Sequence, residues 1–207
     1  TSQQVADLDS ESLRSLELGV KGQFEASGLG YEVLVYSMEK RDFIFRDSDR
    51  LNAGSGESRH RGLEVRFDWA LGEQWQASVN GSYARHEYAH SRVLGGVEID
   101  GLDVDSAPRH FGSAHLRWTP ADTFGVELEW VHMGGYFTNP ENTQRYAGHE
   151  LVNLRGRWQV SDAVAVSARL MNLANTDYAE RADFAFGNER YFPGEPRSVY
   201  VGVSLGF

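Results

Sequence analysis

The sequence predicts an all-β fold, an antiparallel sheet of the kind that walls a transmembrane β-barrel, and three observations carry that expectation. Apolar and polar residues alternate with a period of two along most of the chain, as in Leu63-Glu64-Val65-Arg66-Phe67-Asp68-Trp69, while helical periodicity is nearly absent. The connections sort by length: 26–30, 72–73, 120–122 and 161–162 are tight, whereas 46–58, 90–109, 137–147 and 175–196 are long and polar. A soluble sandwich has no reason to sort its loops by parity. A barrel with short turns on one side of a membrane and long loops on the other does. Trp69, Trp75, Trp118, Phe124 and Trp158 gather at the short-turn ends, where an interfacial aromatic girdle lies.

Read in order, the alternation gives nine strands, at 13–25, 31–45, 59–71, 74–89, 110–119, 123–136, 148–160, 163–174 and 197–207. Several reach or exceed the roughly 9–11 residues that cross a bilayer at a tilt. The second departs from the pattern, because Val33-Leu34-Val35-Tyr36 does not alternate. The last is the most regular: Val199, Val201, Val203, Leu205 and Phe207 alternate with Ser198, Tyr200, Gly202, Ser204 and Gly206. One face of the sheet collects Leu16, Leu18, Val20, Val79, Leu116, Val126, Leu128, Trp130 and Leu154. The other collects Glu64, Arg66, Asp68, His115, Arg117, Glu127, Glu129, Asn153, Arg155, Arg157 and Arg169. In a barrel the first face meets lipid and the second lines the lumen, where these charges would form ion-pair ladders.

Composition narrows the function classes. The 207 residues, about one to two domains' worth, carry 20 Lys+Arg against 30 Asp+Glu, a net charge of -10 that argues against a nucleic-acid binder. Glycine is frequent, 22 residues, and cysteine is absent, which excludes disulfides, thiolate zinc sites and cysteine nucleophiles. No run approaches the roughly 18 apolar residues of a membrane-spanning helix. The mean hydropathy of -0.48 does not oppose a barrel, in which only alternate residues meet lipid. Residues 1–20 have no apolar stretch of the signal-peptide kind and the chain lacks an initiator Met, so a piece of a longer protein is expected.

Chemistry-bearing residues form no strong motif. His86 and His90 share a strand face by spacing, but His90 falls where a loop begins, and each of the seven histidines is expected to stand alone. No His-Glu or Cys pair completes a metal site. Asp100-Gly101-Leu102-Asp103-Val104-Asp105 lacks the spacing of a calcium loop and reads as a solvated acidic segment, with calcium binding or cation bridging to anionic lipopolysaccharide as the alternative. No Gly-x-Ser-x-Gly elbow is present, so no enzyme and no cofactor are expected. The long loops offer His90, Arg92, Asp100, Asp103, Tyr136, Asn142 and Arg190 as candidate ligand-side residues.

The C-terminal third carries a family resemblance. Asn172-Leu173-Ala174-Asn175-Thr176-Asp177-Tyr178 resembles the N-L-F-D-x-x-Y segment of TonB-dependent outer-membrane receptors, with Ala174 where the family usually has Phe. Tyr191-Phe192-Pro193-Gly194-Glu195-Pro196-Arg197 resembles their Y-x-P-G-x-P-R, and the sequence ends on Phe207 as these barrels do. Arg61-Gly62-Leu63-Glu64, Ser15-Leu16-Glu17-Leu18-Gly19 and Gly148-His149-Glu150-Leu151-Val152-Asn153 fit in the family's order. Gly202, Leu205 and Phe207 match the pattern of its C-terminal assembly signal. The resemblance implies a 22-stranded barrel around a plug, of which residues 1–207 are the C-terminal part, with plug domain and TonB box outside this chain. It implies a multi-pass barrel of the Gram-negative outer membrane, contacting lipid and lipopolysaccharide. Its implied activity is TonB-dependent uptake of a scarce bulky nutrient such as an iron–siderophore complex. The alternatives from the residues alone are a self-contained small barrel, acting as a passive pore or rim enzyme, and a soluble lectin-like sandwich.

Overall fold

The computed structural model describes residues 10–46 and 52–206. Thirteen strands follow in chain order: β1 (Ser12–Phe24), β2 (Leu29–Arg46), β3 (Asn52–Leu71), β4 (Trp75–Tyr88), β5 (Val93–Leu94), β6 (Val97–Glu98), β7 (His110–Ala121), β8 (Phe124–Phe137), β9 (Arg145–Ser161), β10 (Val164–Met171), β11 (Ala179–Ala185), β12 (Asn188–Pro193) and β13 (Ser198–Leu205). Nine of them form one antiparallel meander in the order β1-β2-β3-β4-β7-β8-β9-β10-β13. These nine correspond to the nine alternating runs. Among the described residues, no register pairs β1 with β13, so both strands present an open edge.

The registers sort the side chains as alternation requires. Residues directly opposite one another share a face, and the pairs Val33–Val65, Leu63–Tyr83, Val79–Ala114, Leu128–Leu154 and Leu170–Val199 build the apolar face. Asp68–Ser78, Ser78–His115, His115–Glu129, Glu127–Arg155 and Arg155–Arg169 build the polar one. The non-alternating stretch of β2 resolves by register. Leu34 lies opposite Gly19 and Glu64, and Tyr36 lies opposite Glu17 and Gly62, so both sit on the polar face. Tyr36 covers Gly62 so closely that any Cβ there would meet its ring.

The long connections differ from expectation. β2 and β3 pair past the end of the alternation, with Phe43 opposite Gly56, so much of the expected loop 46–58 is strand. Backbone pairing needs no alternation where both faces are wet. The loop 90–109 holds the hairpin β5–β6, and 175–196 holds the hairpin β11–β12. Both are built from short pairings that period-two counting does not detect.

The apolar face of the sheet is open: Leu16 is 76% exposed, Leu18 75% and Val201 71%. Burial concentrates at the long-loop end. Tyr88, Leu94 and Ile99 form one core with Phe43, Leu102 and Val104 against it, and Tyr136, Tyr146, Ala179 and Ala182 form another.

Candidate functional site

Two features share the polar face and the long-loop end: a charged ladder and a packed loop layer. The ladder stands on β7, β8 and β9. Arg117 donates to Glu127 at 2.7 Å; Arg155 reaches Glu127 at 3.4 Å and Glu129 at 2.7 Å; Asn153 donates to Glu129 at 2.7 Å. His115 lies 3.6 Å from Glu127 and 3.8 Å from Glu129. On β3, Arg66 pairs with Asp68 at 2.7 Å. Two arginines expected in the ladder act otherwise: Arg169 stacks over Tyr200 with 4.9 Å between guanidinium carbon and ring centroid, and Arg157 bonds Gln159 at 3.4 Å. The ladder groups border a cavity of about 470 Å³ lined by Gln23, Asp68, Gln76, His115, Arg117 and Glu127.

Asn153 also ties the ladder to the loops. Its Oδ1 accepts the Asn172 amide at 2.8 Å, and Asn172 in turn donates from Nδ2 to the carbonyls of Thr176 (2.9 Å) and Glu195 (3.1 Å). The Thr176 amide returns a bond to Asn172 Oδ1 at 2.8 Å. Gly194 donates to the Tyr178 carbonyl at 2.9 Å, and a Cβ at Gly194 would fall inside the Tyr178 ring. The two C-terminal motifs, some twenty residues apart in sequence, are therefore the two halves of one lock at the base of the last long loop. Asn172 and Asn153 are 3% and 4% exposed, so each buried amide is satisfied within the lock.

The loop layer brings three of the long connections together. Asn142 accepts the Asp103 amide through Oδ1 and donates to the Asp103 carbonyl through Nδ2, both at 2.9 Å. Asp103 also takes Arg109 at 2.7 Å. The Ser106 amide bonds Phe137 O at 2.8 Å, the Phe184 amide bonds Thr138 O at 3.0 Å, and buried Tyr136 accepts the Ala182 amide at 2.9 Å. Asp103, Tyr136 and Asn142 thus act as mutual fasteners within and between loops. His90 Nδ1 accepts the Glu57 amide at 3.0 Å, and Arg190 Nε donates to buried Asp183 at 2.5 Å. The amides of Arg92 and Asp100 both donate to Glu98, at 2.8 and 3.2 Å, and close the foot of the β5–β6 hairpin. These seven candidates all lie in the loop layer, but no single pocket gathers them.

Gly202 stands opposite Ser167 and Leu205 opposite Val164, while Phe207 lies outside the described residues. The acidic segment 100–105 is not simply solvated, since Asp105 is half-buried and accepts the Tyr88 hydroxyl at 2.5 Å. Burial pushes the Asp105 carboxyl above its usual range and the Tyr88 phenol with it. Glu98 is held below its usual range by the backbone amides of Arg92 and Asp100 and the Ser91 hydroxyl. The expectation of isolated histidines is corrected. His60 and His86 meet at 2.8 Å on the polar face, and His110 and His132 meet at 2.8 Å on the apolar face. Each pair is joined across strands, a proximity that sequence spacing does not report. Among the described residues, no three His, Asp or Glu side chains come together as a metal site.

The model of the TonB-dependent receptor-like β-barrel family matches residues 1–173. The chain belongs to this family. It is a family of receptors rather than enzymes. A ferric-pyoverdine receptor of Pseudomonas putida is 23% identical over 197 residues, which is 92% of this chain and 22% of that protein. The ferric yersiniabactin uptake receptor of Yersinia pestis superposes with a TM-score of 0.79 at 16% identity, over 95% of this chain and 30% of that one. The siderophore receptor PiuA of Acinetobacter baumannii superposes at 0.74 with 18% identity, over 93% and 28%. The chain spans between a fifth and a third of the length of these receptors. Among the described residues no helix is long and apolar enough to cross a membrane, which says nothing of strands.

Proposed function

We propose that this chain is the C-terminal wall and loop layer of a Gram-negative outer-membrane receptor that takes up an iron–siderophore complex with energy delivered through TonB. The observation that carries the reading is the sheet itself: an apolar face left open, a charged face laddered, and packed loops confined to one end. In lipid the open edges of β1 and β13 would leave backbone groups unpaired, at several kcal/mol each. Further strands, completing a 22-stranded barrel with a plug inside it, satisfy them. The plug and TonB box then belong to the remainder of the receptor. The polar face becomes the lumen wall, and the loops bearing His90, Arg92, Asp100, Asp103, Tyr136, Asn142 and Arg190 become the ligand side. Gly202, Leu205 and Phe207 serve as the assembly signal, and the apolar face meets lipid and lipopolysaccharide.

The test is uptake of radiolabelled ferric siderophores by cells expressing the full-length receptor, with and without TonB. Accumulation that disappears when either the receptor or TonB is removed is the expected result. Passage of small solutes that continues without TonB would replace this reading with a passive pore.

A further inference from the structure

A row of soft donors crosses the polar face at its long-loop end. Met38 on β2 stands directly opposite His60 on β3, and His60 stands directly opposite His86 on β4. Directly opposed residues have Cβ atoms about 4.5–5.5 Å apart, so a thioether and two imidazoles rise from one patch of the sheet. The two rings approach through like atoms. His60 Nδ1 is 2.8 Å from His86 Nδ1, with centroids 5.0 Å apart and planes at 54°. With both rings neutral, one shared proton joins the two nitrogens.

The outer contacts suit a second use of that pair. Ser58, 3% exposed, has its Oγ 2.9 Å from His60 Nε2. The hydroxyl can take the Nε2 proton, which leaves the His60 Nδ1 lone pair facing His86. When a cation replaces the shared proton, that proton moves to His86 Nε2, and both Nδ1 lone pairs then face the ion. At the metal–nitrogen distance of about 2.0–2.1 Å, the 2.8 Å separation subtends about 85° at the ion, an angle open to two neighbouring ligands. The rungs on either side are Tyr36–Gly62–Ala84 and Lys40–Ser58–Tyr88, and neither contains a carboxylate. Lys40 is taken by Glu11 at 2.9 Å and lies over the Phe43 ring. Asp103, whose charge reaches His86, is held by Arg109 at 2.7 Å.

We propose that Met38, His60 and His86 form a binding site for a soft monovalent metal ion of the Cu(I) class. The donor set is neutral and contains a thioether. Thioether sulfur selects Cu(I), and imidazole suits copper. A divalent ion finds no carboxylate in the set to balance its charge. Hard ions, which take oxygen ligands, gain little from it, so the site is distinct from recognition of a ferric siderophore. The unbranched, flexible Met38 side chain adapts to the ion, and Ser58 orients His60 from behind. Only the placing of the site in a lumen rests on the reading of the chain as a barrel wall; the donor set does not.

The experiment uses the full-length receptor without a polyhistidine tag, purified in detergent and titrated anaerobically with Cu(I) against a chromophoric Cu(I) chelator. The wild type is expected to hold one more equivalent of Cu(I) than His60→Ala/His86→Ala. Met38→Leu, which keeps the volume and loses the sulfur, is expected to remove the sulfur neighbour from the copper X-ray absorption spectrum of that equivalent. Ser58→Ala is expected to weaken binding on the order of tenfold. His110→Ala/His132→Ala, which removes the histidine pair of the apolar face, is expected to leave the count unchanged. Equal Cu(I) counts for the wild type and the His60→Ala/His86→Ala variant, an unchanged sulfur signal in Met38→Leu, or Zn(II) displacing Cu(I) at equal concentration overturns the proposal. A heat-modifiable band identifies the variants that fold, and Met38→Leu keeps the test open if the double alanine variant does not. Failure of the uptake reading is separately visible, because it is read as TonB-dependent accumulation of ferric siderophore in cells rather than as copper on the purified protein.

Discussion

The wall and the loop layer obey opposite rules for the same side chains. On the wall the large apolar residues are outside, with Leu16, Leu18 and Val199 all well over half exposed, and the charged residues pair with one another on the other face. In the loop layer Ile99 and Ala182 are at 0% exposure, although Val93 and Phe186 stay at its surface. One chain therefore carries an inverted and an ordinary arrangement, divided where the sheet gives way to the long loops. The difference teaches that burial is set by the surrounding medium. On the proposed reading, lipid covers the wall without a protein core, while the loops stand in water and must build one.

The largest effect should come from breaking the loop core. Ile99→Ala removes a fully buried side chain that touches Tyr88 and Leu94, at a cost of about 2–5 kcal/mol. Hydrogen exchange on the full-length receptor should show residues 89–109 losing protection while β7–β10 keep theirs, with ferric-siderophore capture reduced. Loss of protection throughout the sheet would mean that the two regions unfold as one unit.

A second change asks whether the medium really differs. Leu128 on the wall is 43% exposed and Val93 in the β5–β6 hairpin is 63% exposed. By exposure alone, Val93→Arg and Leu128→Arg should be equally mild. If the wall faces lipid, Leu128→Arg costs about 2–4 kcal/mol near the bilayer midplane, and Val93→Arg stays within roughly 0.5 kcal/mol. Denaturant unfolding of the receptor from bilayers decides between them, and equal small effects would remove lipid from the account.

The same division explains what was legible in the sequence. Every wall strand was readable because a sheet between two unlike media must alternate, and a tight turn must separate its strands. Leu34 and Tyr36 escaped the pattern because register, which alternation alone does not fix in β2, puts them on the polar face. The loops were unreadable for a different reason. Tyr88–Asp105, Asn142–Asp103 and Tyr136–Ala182 join residues from 17 to 46 positions apart, and no period marks them. The motif residues Asn172, Tyr178 and Gly194 could be recognised by resemblance, yet their purpose as a lock became visible only when the fold placed them together.

The smallest effect sharpens the comparison inside the loop layer, where two carboxylates respond to pH in opposite directions. Asp105 titrates above its ordinary 3.8 because burial disfavours its charge. A group raised in the fold contributes stability that is complete below the unfolded pKa and lost as pH rises through the folded one. The packing around Asp105 should therefore loosen as pH climbs out of the acid range, even though the Tyr88 hydrogen bond itself favours the ionised carboxylate. Glu98 titrates below its ordinary 4.5 because the Arg92 and Asp100 amides hold its charge. Its contribution is complete above the unfolded pKa and lost as pH falls through the folded one. Protection factors, corrected for the intrinsic pH dependence of exchange, should fall for Arg92 and Asp100 on acidification and for Leu102 and Val104 on the alkaline side. Glu98→Gln should abolish only the first response and Asp105→Asn only the second. If either variant abolished both, the foot of the hairpin and the Tyr88–Asp105 contact would be a single titrating unit, and the loop layer would have no internal division between its two carboxylates.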